Sequence, residues 1–106
     1  MAHASEHADV FRALADPSRR RLLDSLLDED GQTLSELAAQ LPGMTRFGVR
    51  KHLRTLEQGG LVSSRKLGRE RLHFLNPTPL RLLHDQWLRK YTEAAWAEAA
   101  AHPGKR

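Results

Sequence analysis

Apolar residues recur at helical spacing along most of the chain, and the clearest case is the stretch 45–58. There Val49, Leu53 and Leu56 follow one another at steps of four and three residues, which places them on one side of a helix. Thr45 precedes the apolar positions as an N-cap, and Gly59-Gly60 follows the stretch as a stop signal. The pattern predicts a helix that ends at Gln58 and has one apolar face.

Two helices are predicted at the start of the chain. The first covers about residues 5–15, and its shared face contains Ala4, Ala8, Phe11 and Ala15. The second begins behind Asp16 as N-cap, with Pro17 at the first helical position, and extends to about Asp28. Its apolar positions are Leu22, Leu23, Leu26 and Leu27.

Three consecutive arginines, residues 19–21, fall in the first turn of this second helix, where cations oppose the helix dipole. The favoured interpretation is ion pairing with Asp16 and with Asp24, which lies four residues after Arg20. The alternative is that one arginine reaches a phosphate.

A third, short helix begins at Thr33 and Glu36, which have the spacing of a capping box. It ends at the segment LPGM, because Pro42 cannot continue a helix and Gly43 can adopt a positive φ. Its apolar positions are Leu34, Leu37, Ala38 and Leu41. Together with the helix ending at Gln58, it predicts a helix-turn-helix.

Two strand-like segments, 61–67 and 70–75, flank the pair Gly68-Arg69. A two-residue turn that contains glycine predicts a β-hairpin between them. The inner face of the second strand stays open, because alternation is loose along Leu72, His73, Phe74 and Leu75. A helix-turn-helix followed by a hairpin is a winged helix, so the predicted fold class is mainly α, with about five helices and a two-stranded wing.

A long helix is predicted after the wing, with Thr78 as N-cap, Pro79 at the first helical position and an end near Ala101. Its main stripe contains Leu80, Leu83, Trp87, Tyr91, Ala94 and Glu98, and Leu82, Leu88 and Trp96 lie on other sides. In so small a domain, one apolar face packs on the core while another needs a second subunit. The alternative is that both tryptophans belong to one monomeric core.

The size and composition indicate a single globular domain. The chain has 106 residues, 40% of them hydrophobic and 28% charged, so we expect one domain over residues 1–106, with a dimerisation helix at 79–101 and a flexible tail at 102–106. No apolar run is long enough to span a membrane, and no secretory signal is apparent. The absence of cysteine excludes a disulfide scaffold and a thiolate metal site, and it favours the cytoplasm.

Positive charge is concentrated in one part of the chain. The net charge is +4, but residues 45–75 alone contain eight cations and two acids. A field of this kind suits a polyanionic partner, for which nucleic acid is favoured over an anionic membrane surface.

The predicted helix 45–58 carries its cations opposite its apolar face. Phe47, Lys51 and Arg54 point away from that face, and Arg50 lies on the flank. The DNA major groove is wide enough to admit such a helix, while a basic hairpin can contact flanking phosphates or enter the minor groove. The wing cations are Arg65, Lys66, Arg69 and Arg71. The alternatives are a merely solvated face and a module that docks an acidic protein.

Two residues of this helix have no explanation in helix propensity. Phe47 points outward, where it either contacts thymine methyl groups or folds back against the third helix. Gly48 costs about 1 kcal/mol relative to alanine inside a helix, which indicates close approach of either the third helix or DNA.

Several segments resemble the ArsR/SmtB family of bacterial winged-helix repressors over about residues 8–95. They are FRALADPSRRRLLDSL, LSELAAQL and TRFGVRKHLRTLEQGGLVSSRKLGRERLHFLNP, with ALADPSR, V-x-x-H-L-x-x-L, GGLV and GRERLHFLNP as the most specific parts. The resemblance implies a homodimer that binds a palindromic operator near its own promoter and represses transcription. It also implies subunit contacts between the last helix and the first, so the predicted interface residues are Phe11, Leu80, Leu83, Trp87 and Tyr91.

The resemblance also implies roles for single residues. The DNA-contacting positions of the family's fourth helix are occupied here by Thr45, Arg46, Phe47, Arg50 and Lys51, and the position of His52 is usually semi-buried and structural. Relatives more often have serine and glutamine where this chain has Phe47 and Arg50, so the operator sequence stays open.

No metal or cofactor is expected. Thiolate sensors of the family need cysteine, and the chain has Leu37, Ala38 and Ala39 in the third helix where such ligands lie. Zinc-type relatives use paired histidine and carboxylate sets on the last helix, where this chain has His84, Asp85 and Glu93 without a second histidine at suitable spacing. His3 and His7 are four residues apart, but a frayed terminus is the favoured interpretation.

An enzyme is not expected either. The chain contains the residue types that nucleophilic catalysis needs, namely Ser63, Ser64, His73 and Asp85. No catalytic motif accompanies them.

Overall fold

The computed structural model describes residues 7–102 and Gly104. Within them, six α-helices and one antiparallel hairpin form a winged helix-turn-helix, which confirms the predicted fold class. The helices and strands are α1 (Ala8–Leu14), α2 (Pro17–Asp28), α3 (Leu34–Ala39), α4 (Arg46–Gln58), β1 (Val62–Leu67), β2 (Glu70–Leu75), α5 (Thr78–Leu83) and α6 (Ala95–Ala101). Two π-helical segments, His84–Leu88 and Lys90–Ala94, join α5 to α6, and we call the whole of 78–101 the C-terminal helix.

The core lies between α1, α2, α3, α4 and the root of the hairpin. Its fully buried large side chains are Leu22, Leu26, Leu37, Val49, Leu56 and Leu61. The predicted apolar faces of α2, α3 and α4 are therefore confirmed, with one exception. Leu27 is 71% exposed, because α2 turns that side to solvent.

Helix α1 buries a different side from the one its sequence pattern suggested. Val10 and Ala13 pack into the core, whereas Ala8, Phe11 and Ala15 share the exposed side. Ala8, Phe11 and Ala15 thus lie on one side of the chain as predicted, but in the single chain that side is exposed to solvent and not buried. The predicted Ala4 and Ser5 lie outside the described residues.

Three helix starts follow the predicted capping chemistry. The Asp16 carboxylate accepts hydrogen bonds from the backbone N–H groups of Ser18 and Arg19. Thr33 and Glu36 form the complete capping box of α3. The Thr45 hydroxyl accepts from the backbone N–H of Gly48 at 3.0 Å, so α4 begins where the sequence predicts.

Loops and the last helix start differ from the predictions in detail. Helix α3 ends at Ala39, before the proline, and Gly43 is not among the glycines with positive φ, which are Gly31, Gly60 and Gly68. Thr78 is not an N-cap: it is the first residue of α5, and the Asn76 side-chain oxygen accepts from its backbone N–H at 3.2 Å. Asn76 therefore supplies the side-chain oxygen at this helix start that was expected from Thr78.

The arginines 19–21 do not pair with Asp16 or Asp24, so that prediction was wrong. Arg19 donates to the carbonyls of Arg12 and Ala13, and Arg20 donates to the carbonyl of Leu14. Arg21 donates to the carbonyl of Gln40 at the end of α3. These are carbonyls at helix C-termini, where cations are favoured, and this compensates for their position in the first turn of α2.

The hairpin has a regular register around the predicted turn. Leu67 pairs with Glu70, and Gly68 has a φ of 63° at the first position of the two-residue loop, as in a type II′ turn. His73 and Leu75 belong to the inner face of β2, because His73 is buried and exchanges backbone hydrogen bonds with Gln32. This bridge attaches the root of the wing to the loop before α3 and resolves the open choice of face.

Candidate nucleic-acid interface

The exposed face of α4 carries cations and one aromatic ring. Val49, Leu53 and Leu56 are buried, which turns Phe47, Arg50, Lys51 and Arg54 to solvent. Helix α4 is thus held to the body by its apolar side along its whole length. This arrangement presents the residues predicted to contact DNA on one continuous ridge.

A groove of about 730 Å³ lies between this ridge, the start of α3 and the wing. Five arginines line it, three from α4 and two from the wing: Arg46, Arg50, Arg54, Arg69 and Arg71. Glu57 and Glu70 are the acids that line it. Two regions predicted separately from the sequence, the helix and the wing, therefore form one cationic surface.

The cations of this surface are not neutralised by the protein. Among residues 7–102, no arginine or lysine between positions 45 and 75 forms an ion pair with a carboxylate. Arg46 donates to the Ser35 hydroxyl at 2.6 Å, and Arg71 donates to the Ser64 hydroxyl at 3.0 Å. A neutral hydroxyl orients a guanidinium without removing its charge, so the groove stays positive.

The wing separates its four predicted cations. Because Lys66 pairs with Arg71 and Ser64 with His73, these residues share the face that borders the groove. Arg69 lies in the turn at the wing tip. Arg65 lies on the opposite face, where its guanidinium is 4.9 Å from the centre of the Phe74 ring.

The structure decides how Phe47 and Gly48, the two unexplained residues of α4, are placed. Phe47 is 68% exposed and the ammonium of Lys51 lies 5.5 Å from its ring centre, so it does not fold back on the body. A Cβ atom on Gly48 would lie 3.0 Å from Met44 Cγ and 3.4 Å from the Thr45 hydroxyl. The close approach to Gly48 therefore comes from the turn before α4.

His52 is half-buried behind the reading face. Its Nδ1 atom lies 3.2 Å from an Arg19 guanidinium nitrogen, and arginine can only donate, so Nδ1 accepts. Arg19 in turn holds the end of α1. This contact links α1, α2 and α4, as expected for a structural histidine.

Ser35 and His73 are among the groove residues that sequence reasoning did not assign to the site. Ser35 follows the Thr33 cap in the first turn of α3, and this position is the one signal that it faces the start of α4. His73 lines the groove and its Nδ1 is 3.0 Å from the Gln32 carbonyl. No local pattern distinguishes it from its neighbours in β2.

Three of the predicted interface residues form an aromatic cluster between α1 and the C-terminal helix. The Phe11 and Trp87 rings meet at 5.4 Å, and the Trp87 and Tyr91 rings meet at 5.2 Å. Phe11 and Tyr91 are exposed, while Leu80 and Trp87 are partly buried. Leu83 is only 2% exposed, so it belongs to the core of the single chain and has no free surface for a partner.

The candidate metal-binding side chains of the C-terminal helix have protein partners. His84 and Arg81 both contact the Asp85 carboxylate, and these hydrogen bonds, with that from His84 the larger cause, lower the pKa of Asp85. Glu93 pairs with Arg89. Within the described part of the chain, no group of three potential ligands is close enough to hold a metal. His3 lies outside the described residues.

Within residues 7–102 no helix combines the length and the apolar character that crossing a membrane requires.

A cationic recognition helix joined to a basic wing defines a DNA-binding winged helix. Comparison with known proteins identifies the family. Residues 14–65 match a family model described as a helix-turn-helix domain. The HTH-type transcriptional regulator YuzN of Bacillus subtilis (strain 168) is 38% identical over 74% of this chain and 91% of its own length. The transcriptional repressor SdpR of the same organism is 32% identical over 69% of this chain and 79% of its own length.

The structure is also similar to solved ones. An ArsR-like transcriptional regulator from Rhodococcus sp. RHA1 superposes with a TM-score of 0.79 at 33% identity, over 98% of this chain and 92% of the other. The chain belongs to the ArsR family of winged helix-turn-helix, DNA-binding transcriptional regulators. Members of this family are regulators and not enzymes, which removes the enzyme interpretation.

Proposed function

We propose that the protein is a homodimeric repressor that binds a palindromic operator, near its own promoter, in the cytoplasm. The observation that carries the proposal is the groove between α4 and the wing, where five arginines lie without a carboxylate partner. Uncompensated cations on a continuous ridge suit the phosphates and base edges of a duplex. Similarity to SdpR, a transcriptional repressor, supports repression over activation.

In the proposed complex α4 lies in the major groove. Its exposed face supplies the contacts, from Thr45, Arg46, Phe47, Arg50, Lys51 and Arg54. Thr45 and Arg46 are already engaged with Gly48 and Ser35, so we assign them to the backbone side of the helix start. Arg50, Lys51 and Arg54 are the residues proposed to reach base edges.

The wing is proposed to bind next to α4. Lys66, Arg69 and Arg71 lie on its groove side or at its tip, and we assign them to phosphates or to the minor groove. Arg65 lies on the other face against Phe74, so its proposed contribution is its charge.

The proposed dimer uses the aromatic cluster of Phe11, Trp87 and Tyr91, together with Leu80. Exposed aromatic rings on two neighbouring helices favour association with a second copy through a two-fold axis. Such a dimer places two recognition helices about 34 Å apart, one turn of the double helix. No metal or cofactor is part of the proposal, since the chain has no cysteine and the histidine and carboxylates of the C-terminal helix have partners.

In vitro selection from random duplexes tests the proposal. We expect enrichment of a palindrome whose half-site centres are about 10 base pairs apart. On the selected duplex, Arg54→Ala and Lys51→Ala should each weaken binding by about 1–3 kcal/mol if a base contact is lost. The logarithm of affinity should fall with the logarithm of salt concentration, with a slope of about −0.9 per phosphate neutralised.

Arg81→Ala is the matched control, because it removes one exposed cation from the C-terminal helix, where Arg81 is paired with Asp85. It should leave both affinity and salt slope unchanged. If it weakens binding as much as Arg54→Ala, only net charge matters, and α4 is not the reading element. Salt-insensitive binding would contradict the proposal as a whole.

A further inference from the structure

Phe47 is a large apolar side chain that the fold of the single chain does not bury. It is 68% exposed and is absent from the hydrophobic core and from the residues packed against it. Its one ring contact within the described residues is the ammonium of Lys51. As the second residue of α4, it lies at the end of a recognition helix that approaches bases most closely.

The structure gives the turn before α4 another apolar cover. Met44 is partly buried, packs against the core and approaches Gly48 closely. Phe47 is thus not needed to close the gap between α3 and α4. Its exposure is a property of the native packing and leaves its ring free for a partner.

The partner of Phe47 must combine apolar surface with negative charge. The ring lies near the Lys51 ammonium, and Arg50 follows it three residues later on the helix, where side chains are neighbours. Neither cation is paired with a carboxylate among residues 7–102. A second copy of the same surface would bring like charges together, which disfavours a subunit contact here. A duplex has phosphates for the cations and, in the major groove, the 5-methyl group of thymine as its apolar feature.

We infer that Phe47 is a specificity-determining residue that packs on the 5-methyl group of one thymine in each operator half-site, with Lys51 donating to a guanine within two base pairs of it. The ammonium lies 5.5 Å from the ring centre, and stacked base pairs are about 3.4 Å apart, so both side chains reach neighbouring positions. Guanine O6 and N7 are the acceptors that lysine prefers in the major groove. The inference rests on the proposed function and adds the base chemistry that this ridge reads.

A deoxyuridine scan of the selected operator tests the inference, because deoxyuridine lacks only the 5-methyl group. Each thymine is replaced singly in both half-sites, and the dissociation constant is measured at fixed salt. We expect about a fourfold loss at one thymine position, the size expected for one buried methyl-sized group. Phe47→Ala should bind the unmodified operator at least as weakly as the original protein binds the substituted one, and should show no further loss at that position.

Two variants serve as controls. Phe47→Leu keeps an apolar side chain and should retain part of the methyl preference. Leu27→Ala removes an equally exposed apolar side chain from α2 and should leave the deoxyuridine profile unchanged. Circular dichroism checks that each variant is folded.

The lysine arm of the inference uses 7-deazaguanine, which lacks the N7 acceptor. Substitution of the guanine near the sensitive thymine should weaken the original protein several-fold and leave Lys51→Met unaffected. A guanine effect that persists in Lys51→Met would overturn this part of the assignment.

The remaining outcomes separate the inference from the proposed function. Tight, sequence-specific binding with a flat deoxyuridine profile would overturn the inference and leave the repressor proposal intact. The same holds if the methyl effect persists unchanged in Phe47→Ala. If selection enriches no DNA sequence, the proposed function fails and the inference fails with it.

Discussion

The rings of Phe11 in α1 and Trp87 in the C-terminal helix meet edge to face, with centroids 5.4 Å apart and an angle of 81° between their planes. Tyr91 extends the cluster along the C-terminal helix. An edge-to-face pair is a favoured aromatic geometry, so the two helices hold each other in place. A second subunit would therefore meet a surface that already exists in the single chain.

Trp87→Ala should weaken the dimer, because a large aromatic side chain at the centre of the proposed interface is lost. We expect a loss of about 2 kcal/mol or more in association free energy, measured by sedimentation equilibrium. Leu27→Ala, which truncates an exposed side chain on α2, should not change the association constant. An unaltered dimer in Trp87→Ala would place the interface elsewhere.

Arg19→Ala should lower the free energy of unfolding by about 2–3 kcal/mol. Arg19 donates to the carbonyls of Arg12 and Ala13 and to His52, and hydrogen bonds from a charged donor are among the stronger ones. Urea unfolding at constant protomer concentration measures the loss.

Arg21→Ala is the control for this change, since Arg21 is exposed and its hydrogen bond to Gln40 is 3.3 Å long. It should change the stability by no more than about 0.5 kcal/mol. Equal losses in the two variants would contradict the prediction, because the three contacts of Arg19 would then stabilise no more than the single long hydrogen bond of Arg21.

The Asp16 carboxyl should make stability depend on pH in the acid range. Desolvation raises its pKa, but hydrogen bonds from the Ser18 and Arg19 backbone and the charge of the Arg19 guanidinium together bring it below 3.8. A pKa that is lower in the folded state contributes stability above the unfolded value, and this contribution is lost as pH falls through the folded pKa. We therefore expect a loss of stability below about pH 4.

Two substitutions at this position separate the cap from the charge. Asp16→Ala should cost about 1 kcal/mol at pH 7, whereas Asp16→Asn should cost less, because asparagine is an equally good N-cap. Asp16→Asn should also flatten the stability profile below pH 4, as followed by thermal unfolding. A profile identical to that of the original protein would assign the acid loss to other carboxyl groups.

Gly59→Ala should destabilise the protein, although the backbone of Gly59 has an ordinary helical conformation with φ at −81°. A Cβ atom there would lie 3.0 Å from the backbone oxygen of Asp9 and 3.3 Å from the Cβ of Ala13. The backbone of α1 cannot yield as a flexible side chain does, so we expect a loss of about 1–3 kcal/mol in urea unfolding.

Gly43→Ala is the matched control, because nothing lies within 4 Å of its added Cβ and its φ is not positive. It should be neutral or stabilise by up to about 1 kcal/mol through the unfolded state. If both alanines have the same effect, close packing of α1 on the end of α4 is not what requires a glycine at Gly59.

Helix bounds could be predicted closely because the signals for them are local. Asp16-Pro17, the Thr33–Glu36 box and Thr45 each interact with backbone no more than four residues away, and α2, α3 and α4 begin where these residues indicate. The stripe of Val49, Leu53 and Leu56 likewise defines the buried side of α4 and, by exclusion, its cationic side. The cationic side of the recognition helix could therefore be predicted from the sequence alone.

The wing was less predictable, because the contacts that orient it are not local in the sequence. Its turn was evident from Gly68, but the inner face of β2 depends on the pairing of His73 with Gln32, which is 41 residues away. Which wing cations border the groove follows from that face, so Arg65 was grouped with Lys66 and Arg71 although it lies opposite them. Leu83 shares helical spacing with Leu80 and Trp87 and was grouped with them at the subunit interface, but its side chain is buried in the core of the single chain.

The sequence by itself determined which segments are helical, where the caps of α2, α3 and α4 lie and that one helix has a cationic side, because these depend on neighbours within a turn. Only the tertiary structure decided that Arg19 and Arg20 hold the end of α1 and that α4 and the wing share one groove. It also decided that Phe47 stays exposed while Met44 fills the turn. Those outcomes depend on distances between residues far apart in the chain, which exist only once the core has brought the helices together.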